Sequence, residues 1–328
     1  MNNKGRWSAV VAALLATLGF AAQAEAPAPS WPTRPVRVIV PFPAGGTADM
    51  LGRLAAEHLS VALGSPFIVE NRAGAGGLIG AQAAVQAEAD GYTLVVSGIA
   101  SHVIAPAMTA KPPFDTLKDL THIAYLGGPP VVLVVHPALG AKTYREFLQI
   151  ARDRPGGLGY VSSGVGTHGH LFGEYLAQRE HIKLVHVPYR GSNPAMTDLI
   201  AGHVPVGIMS FSSAAEQIRS GNVIGLAVAS AERLPDFPDV PTFKEVGFDI
   251  EAATWFSLSG PAGIPRAIVE RLNKEITAMM DIPAVRQRLA QDGVEIRRLS
   301  PEQFTSFVGS EIDRWGPIAR DLARTASN

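Results

Sequence analysis

The sequence runs to 328 residues, with 47% hydrophobic and 17% charged side chains, a formal net charge of −1 and no cysteine. The lack of cysteine excludes disulfides, thiolate nucleophiles, cysteine-based zinc sites and a lipid-modified cysteine, and the near-neutral balance offers no electrostatic footprint for nucleic acid or an anionic membrane. A chain this long exceeds what one hydrophobic core usually supports, so two lobes are expected.

The chain opens with Lys4 and Arg6, then an apolar and small-residue stretch over 8–22, then Ala22-Gln23-Ala24 ahead of Glu25. A basic start, a short apolar run and a small-x-small site make a secretory signal peptide over 1–24, with cleavage expected after Ala24. The apolar run falls short of the roughly 20 residues that span a bilayer. Loss of Lys4 and Arg6 takes the formal charge from −1 to −3. A soluble, exported and periplasmic protein is the expectation.

Short β-branched runs follow at 36–40, 67–69, 92–96, 131–136, 158–162, 184–189, 204–210 and 223–229. Amphipathic segments lie between them at 47–62, 77–87, 143–152, 170–179 and 192–202. Strands alternating with helices of this length predict an α/β fold of parallel sheets covered on both faces. Gly127-Gly128-Pro129-Pro130 and Leu258-Ser259-Gly260-Pro261 interrupt the pattern. These breaks divide the chain into lobe 1 (25–127 and 259–328) and lobe 2 (128–258). The stretches 266–280 and 301–323 read as helices packing on lobe 1, the second with Ser300 as N-cap and Pro301 in its first turn.

The most informative loop is Val40-Pro41-Phe42-Pro43-Ala44-Gly45-Gly46-Thr47-Ala48-Asp49, where a strand ends in a Pro/Gly turn that opens a helix. It reads either as an ordinary βα turn or as a cradle of backbone N–H groups at a positive helix N-terminus, with Thr47 as cap and Asp49 favouring the dipole. Similar loops follow at 95–102, with Ser97 and Ser101, and at 161–168, with Ser163, Gly166, Thr167 and His168. Open α/β sheets bind ligands at the carboxyl ends of their strands, so the three should converge on one cleft. Arg190, in Tyr189-Arg190-Gly191-Ser192, can take a second carboxylate in bidentate fashion or stand as a surface arginine. Asp198 and Ser210 lie at element ends that can face the cleft.

Other patterns are weaker. The stretch 71–80 lacks the third glycine of a dinucleotide fingerprint, because Ile79 stands there. His168 and His170 lie two apart at a helix start and point to different faces, which argues against a metal site with Glu174. Trp255 reads as packing or hinge. No GxSxG, HExxH or P-loop motif occurs.

The chain resembles the Bug-type substrate-binding proteins of tripartite tricarboxylate transporters. The resemblance rests on residues 31–37 leading into 40–49, on 69–77, on Asp90-Gly91-Tyr92-Thr93-Leu94, on Val187-Pro188-Tyr189-Arg190-Gly191, on 197–202, on Pro238-Asp239-Val240-Pro241-Thr242, and on 255–263. It implies a type II periplasmic binding protein, or Venus flytrap, with two α/β lobes and a two-strand hinge. It further implies a pincer formed by loops 41–49 and 162–168 that holds one carboxylate through backbone groups and bridging waters. Loops and resemblance together give the ligand-binding set Phe42, Ala44, Gly45, Gly46, Thr47, Asp49, Ser97, Ser101, Ser163, Gly166, Thr167, His168, Arg190, Gly191, Asp198 and Ser210. The resemblance also implies membrane transporter subunits as partners, with sensing through a membrane partner as the alternative. No cofactor, metal, catalytic residue or nucleic acid is expected, and a monomer is. A hydrolase built on a cleft serine with His102 or His168 would need an orienting carboxylate beside the base.

Overall fold

The computed structural model describes residues 31–325, so the expected leader at 1–24 lies outside the described residues. The elements below belong to the unit that begins at Arg34. The first half contains β1 (Val36–Val40), α1 (Thr47–Leu63), β2 (Phe67–Asn71), α2 (Leu78–Val85), β3 (Thr93–Gly98), a short α3 (Ala105–Met108) and β4 (Leu120–Gly127). Next come β5 (Val131–Val135), α4 (Tyr144–Arg152), β6 (Leu158–Ser162), α5 (His168–Glu180), β7 (Leu184–Pro188), α6 (Ser192–Ile200), β8 (Val206–Ser210), α7 (Phe211–Arg219) and β9 (Ile224–Val228). The chain closes with β10 (Phe256–Pro261), α8 (Arg266–Asp281), α9 (Pro283–Gln291) and α10 (Pro301–Thr325).

Two five-stranded sheets result, in the orders β2-β1-β3-β10-β4 and β7-β6-β8-β5-β9. Within each, the three strands that carry the βαβ units are parallel. The expectation of wholly parallel sheets is corrected by one strand in each: β10 runs antiparallel to β3 and β4, and β5 runs antiparallel to β8 and β9. The reason is where the chain enters. β5 begins where β8 ends, with Val131 opposite Ser210, and β10 begins where β3 ends, with Phe256 opposite Gly98. A strand that enters a sheet at the carboxyl ends of its neighbours must run against them.

β4 and β10 carry no β-branched run and escape the reading above. In β10 the alternation Phe256-Ser257-Leu258-Ser259 is fully buried, because Ser97 Oγ of β3 bonds Ser257 Oγ at 2.7 Å and Ser259 Oγ at 3.0 Å. Burial of such hydroxyls is tolerable only when they pair.

The Val-rich β5 packs Val131, Leu133 and Val135 into one core and Val132 and Val134 into another. A strand covered on both faces reads as an unbroken apolar run. On the surface, α4 buries Tyr144, Phe147, Leu148 and Ala151, one face of a helix, and starts in a capping box of Thr143 and Glu146. α10 likewise starts in a reciprocal pair, since Gln303 N–H donates to Ser300 Oγ and Ser300 N–H to Gln303 Oε1.

Candidate functional site

The carboxyl ends of β1, β3, β6 and β8 face the segments that lead from one sheet to the other, and a cavity of ≈70 Å³ lies among them. Nine of the expected residues line it: Phe42, Ala44, Gly46, Thr47, Ser163, Thr167, His168, Gly191 and Ser210.

Helix starts dominate its walls. Gly46 caps α1, Thr167 caps α5, Gly191 caps α6 and Ser210 caps α7, and all four residues line the cavity. None of the four caps makes a side-chain hydrogen bond to its helix, in contrast to α4 and α10. α2, α3, α8 and α9 also start without one, and none of their cap residues lines the cavity. The first N–H groups of a helix have no internal partner and carry its positive end. Among the described residues, no Asp, Glu, Lys or Arg lines the cavity. The helix starts therefore turn positive backbone dipoles on a cavity whose lining carries no competing charged side chain, a condition that suits an anion.

Thr47 is the first residue of α1, not its cap, which corrects the expectation. Its hydroxyl instead reaches the start of α7, at 2.6 Å from Ser212 Oγ, 3.1 Å from Ser210 Oγ and 3.2 Å from Ser213 Oγ. The two sheets are thus joined through one hydroxyl cluster. A second junction is steric: a Cβ on Gly76 would lie 2.9 Å from Ala105 Cβ and 3.1 Å from the Val165 carbonyl. Only glycine fits such an approach, and Gly76 also has φ +64°.

The facing loop is held by its own hydroxyls. Ser162 Oγ donates to the Gly164 carbonyl, accepts from Gly164 N–H and lies 2.7 Å from His186 Nε2. Thr167 Oγ1 donates to the same carbonyl at 2.7 Å, and Ser163 Oγ meets Ser192 Oγ at 2.9 Å, tying the loops after β6 and β7. His168 is buried at the start of α5, with Nδ1 3.2 Å from Thr254 Oγ1. Burial, then the Arg314 charge, lowers it to about 3, so the ring is neutral at neutral pH.

Seven expected residues lie elsewhere. Asp49 sits behind the loop: its carboxylate accepts from Gly45 N–H at 3.0 Å, Asn71 Nδ2 at 2.8 Å and Arg53 Nε at 2.9 Å. Burial raises its pKa, yet these bonds outweigh burial and leave it below the usual carboxylate value. Ser97 is consumed by β10, and Ser101 turns back onto Gly98. Gly45 takes φ +84°, and a Cβ there would meet Asn193 Nδ2 at 2.5 Å. Gly166 abuts Gly76 and Ala105 at the junction between the sheets. Asp198 binds the Tyr189 hydroxyl and His203 on the surface. Arg190 is exposed, lining a wider space of ≈560 Å³ that shares Phe42, Pro43, Ser163, Thr167 and Gly191 with the narrow cavity.

The structure adds Ile99, Asn193, Met209, Thr254, Trp255 and Phe256 to the cavity. A signal existed for Asn193, two residues past the Gly191 turn. Thr254 and Trp255 carried none, since a crossing segment shows no loop-helix pattern. Among the described residues no group of three His, Asp or Glu side chains is placed to hold a metal, and no helix is long and apolar enough to cross a membrane.

The TctC family model, the tripartite tricarboxylate transporter family receptor, matches residues 51–323. Protein BugT of Bordetella pertussis is 36% identical over 322 residues, covering 97% of this chain and 98% of its own. Among solved structures, Rpa4515 of R. palustris with adipate superposes with a TM-score of 0.85 at 33% identity, covering 88% of this chain and 97% of its own. MatC (Rpa3494) from Rhodopseudomonas palustris with bound malate superposes with a TM-score of 0.82 at 31% identity, covering 88% and 100%. The family model, the identity over nearly the whole chain and the superpositions agree: the chain belongs to the tripartite tricarboxylate transporter receptor family of periplasmic solute-binding proteins.

Proposed function

We propose that this chain is exported, loses residues 1–24, captures a small organic carboxylate between lobe 1 (25–127 and 259–328) and lobe 2 (128–258), and delivers it to a tripartite tricarboxylate-type membrane transporter. One observation carries the reading: four helix N-termini without side-chain caps converge on a cavity lined by no charged side chain. Such a site offers several fixed donors to one carboxylate and rejects none by charge. The adipate and malate in the two R. palustris structures support the ligand class.

Capture needs no nucleophile or tuned base. The carboxylate satisfies donors from both lobes at once, so it favours the form in which they meet, and the two crossing segments at β4–β5 and β9–β10 serve as the hinge. Arg190, in the wider space, reads the far end of a longer acid.

The test is a melting-temperature panel on the mature protein with adipate, malate, citrate, succinate, glutamate, nicotinate and terephthalate. A bound acid at 100 times its Kd stabilises by about 2.7 kcal/mol, a rise of roughly 5 °C. Gly46→Pro removes one cradle N–H; φ is −86°, close to the proline range, and a Cβ would lie 4.0 Å from the Pro43 carbonyl, so the fold tolerates it. A panel without any shift, or full affinity in Gly46→Pro, sinks the assignment.

A further inference from the structure

Behind the narrow cavity lies a second space of ≈500 Å³, walled by the crossing segments and by Phe307, Glu311 and Arg314 of α10. Trp255 lines both. Its buried indole donates from Nε1 to Glu311 Oε2 at 2.8 Å. Trp315 stands four residues further along α10, one turn away on the same face, with its ring edge-on to His168 at 5.0 Å. His168 lines the same narrow cavity from the start of α5. Between them, Arg314 donates to the Glu251 carbonyl at 2.5 Å, just ahead of Trp255 in the chain.

Glu311 is almost fully buried. Burial raises its carboxyl, and the Trp255 hydrogen bond and the charges of Arg314 and Arg297 oppose that rise. The buried carboxyl therefore ties the Trp255 indole, one wall of the cavity, to α10, and one turn further along that helix Trp315 presses on His168, another wall.

We propose that Glu311 is a positioning residue for ligand capture: by fastening the Trp255 indole to α10, the helix whose Trp315 packs on the His168 ring, it makes α10 a brace that sets two walls of the carboxylate cavity. The role in capture rests on the carboxylate reading above, whereas the brace itself does not. A site held too loosely by the residues behind it loses affinity even when every contact group is present. An ordinary core role would loosen the whole protein. A brace acts on these two walls.

Amide hydrogen exchange on the acid-free mature protein separates the two. Glu311→Leu should speed exchange at 166–169 and 254–256 by about fivefold or more and leave α4 unchanged, whereas Glu311→Gln, which keeps an acceptor for the indole, should match wild type. With sodium adipate as probe, Glu311→Leu should weaken binding by about tenfold and Glu311→Gln should restore it. Unchanged exchange at both segments, a uniform rise including α4, or full adipate affinity in Glu311→Leu would overturn the proposal. A wild-type protein that ignores every acid counts against the carboxylate reading and leaves the exchange result to decide the brace.

Discussion

Asp49→Ala separates a ligand contact from a support behind it. The Asp49 side chain is 5% exposed and accepts three hydrogen bonds, from Gly45 N–H, Asn71 and Arg53. The Arg53 guanidinium is 55% exposed, so that pair counts for little. The other two are short bonds to a buried carboxylate, worth about 1.5 kcal/mol each, for a loss of about 3 kcal/mol. In a chain of this size that lowers Tm by roughly 6 °C. Asn71 Nδ2 also donates to the Phe42 carbonyl, so loop 41–46 loses its backing and carboxylate affinity falls with stability. Acid supplies the control. The folded pKa of Asp49 lies below its unfolded value, so its contribution is present above the unfolded pKa and disappears as pH falls through the folded one. The gap between wild type and variant, read by differential scanning calorimetry, should narrow below pH 4. If Asp49→Ala melts within about 1 °C of wild type at pH 7, the buried-support argument is wrong.

Two further outcomes follow from the same contacts. Thr47→Val deletes the hydroxyl that joins α1 to Ser210, Ser212 and Ser213; about 1.5 kcal/mol of closed-form stability should go, seen as roughly tenfold weaker carboxylate binding and a larger radius in small-angle scattering. An unchanged radius and affinity would show that the cluster does not hold the lobes. Burial holds His122 at about 4 and His168 at about 3, both below the usual histidine value of about 6.5. The unfolded chain therefore takes up these protons first, and stability falls as pH drops from 6.5 toward 4, by up to ~1.4 kcal/mol per pH unit for each ring. His122→Leu should flatten that limb by up to one proton, and a slope identical to wild type would contradict it.

How much was legible depended on which neighbours a residue has. Loops 41–49 and 162–168 could be read because a strand, a Gly/Pro or Gly/Ser turn and a helix start are adjacent in sequence. Asp198 is seventh in α6, about 9 Å along the axis from its start at 1.5 Å per residue, and that distance was available from the pattern alone. Ser97 misled because its partners, Ser257 and Ser259, arrive from 160 residues away.

The sequence by itself determined the α/β alternation, the glycines at loop tips and the family, because each depends on local periodicity, backbone freedom or ordered motifs. It also marked the helix starts that supply donors. Only the tertiary structure decided that β5 and β10 run against their sheets, that α7 brings Ser210, Ser212 and Ser213 to Thr47, and that Asp49 points away from the cavity it supports. The physical reason is that direction, facing and hydroxyl pairing are set by elements far apart in the chain.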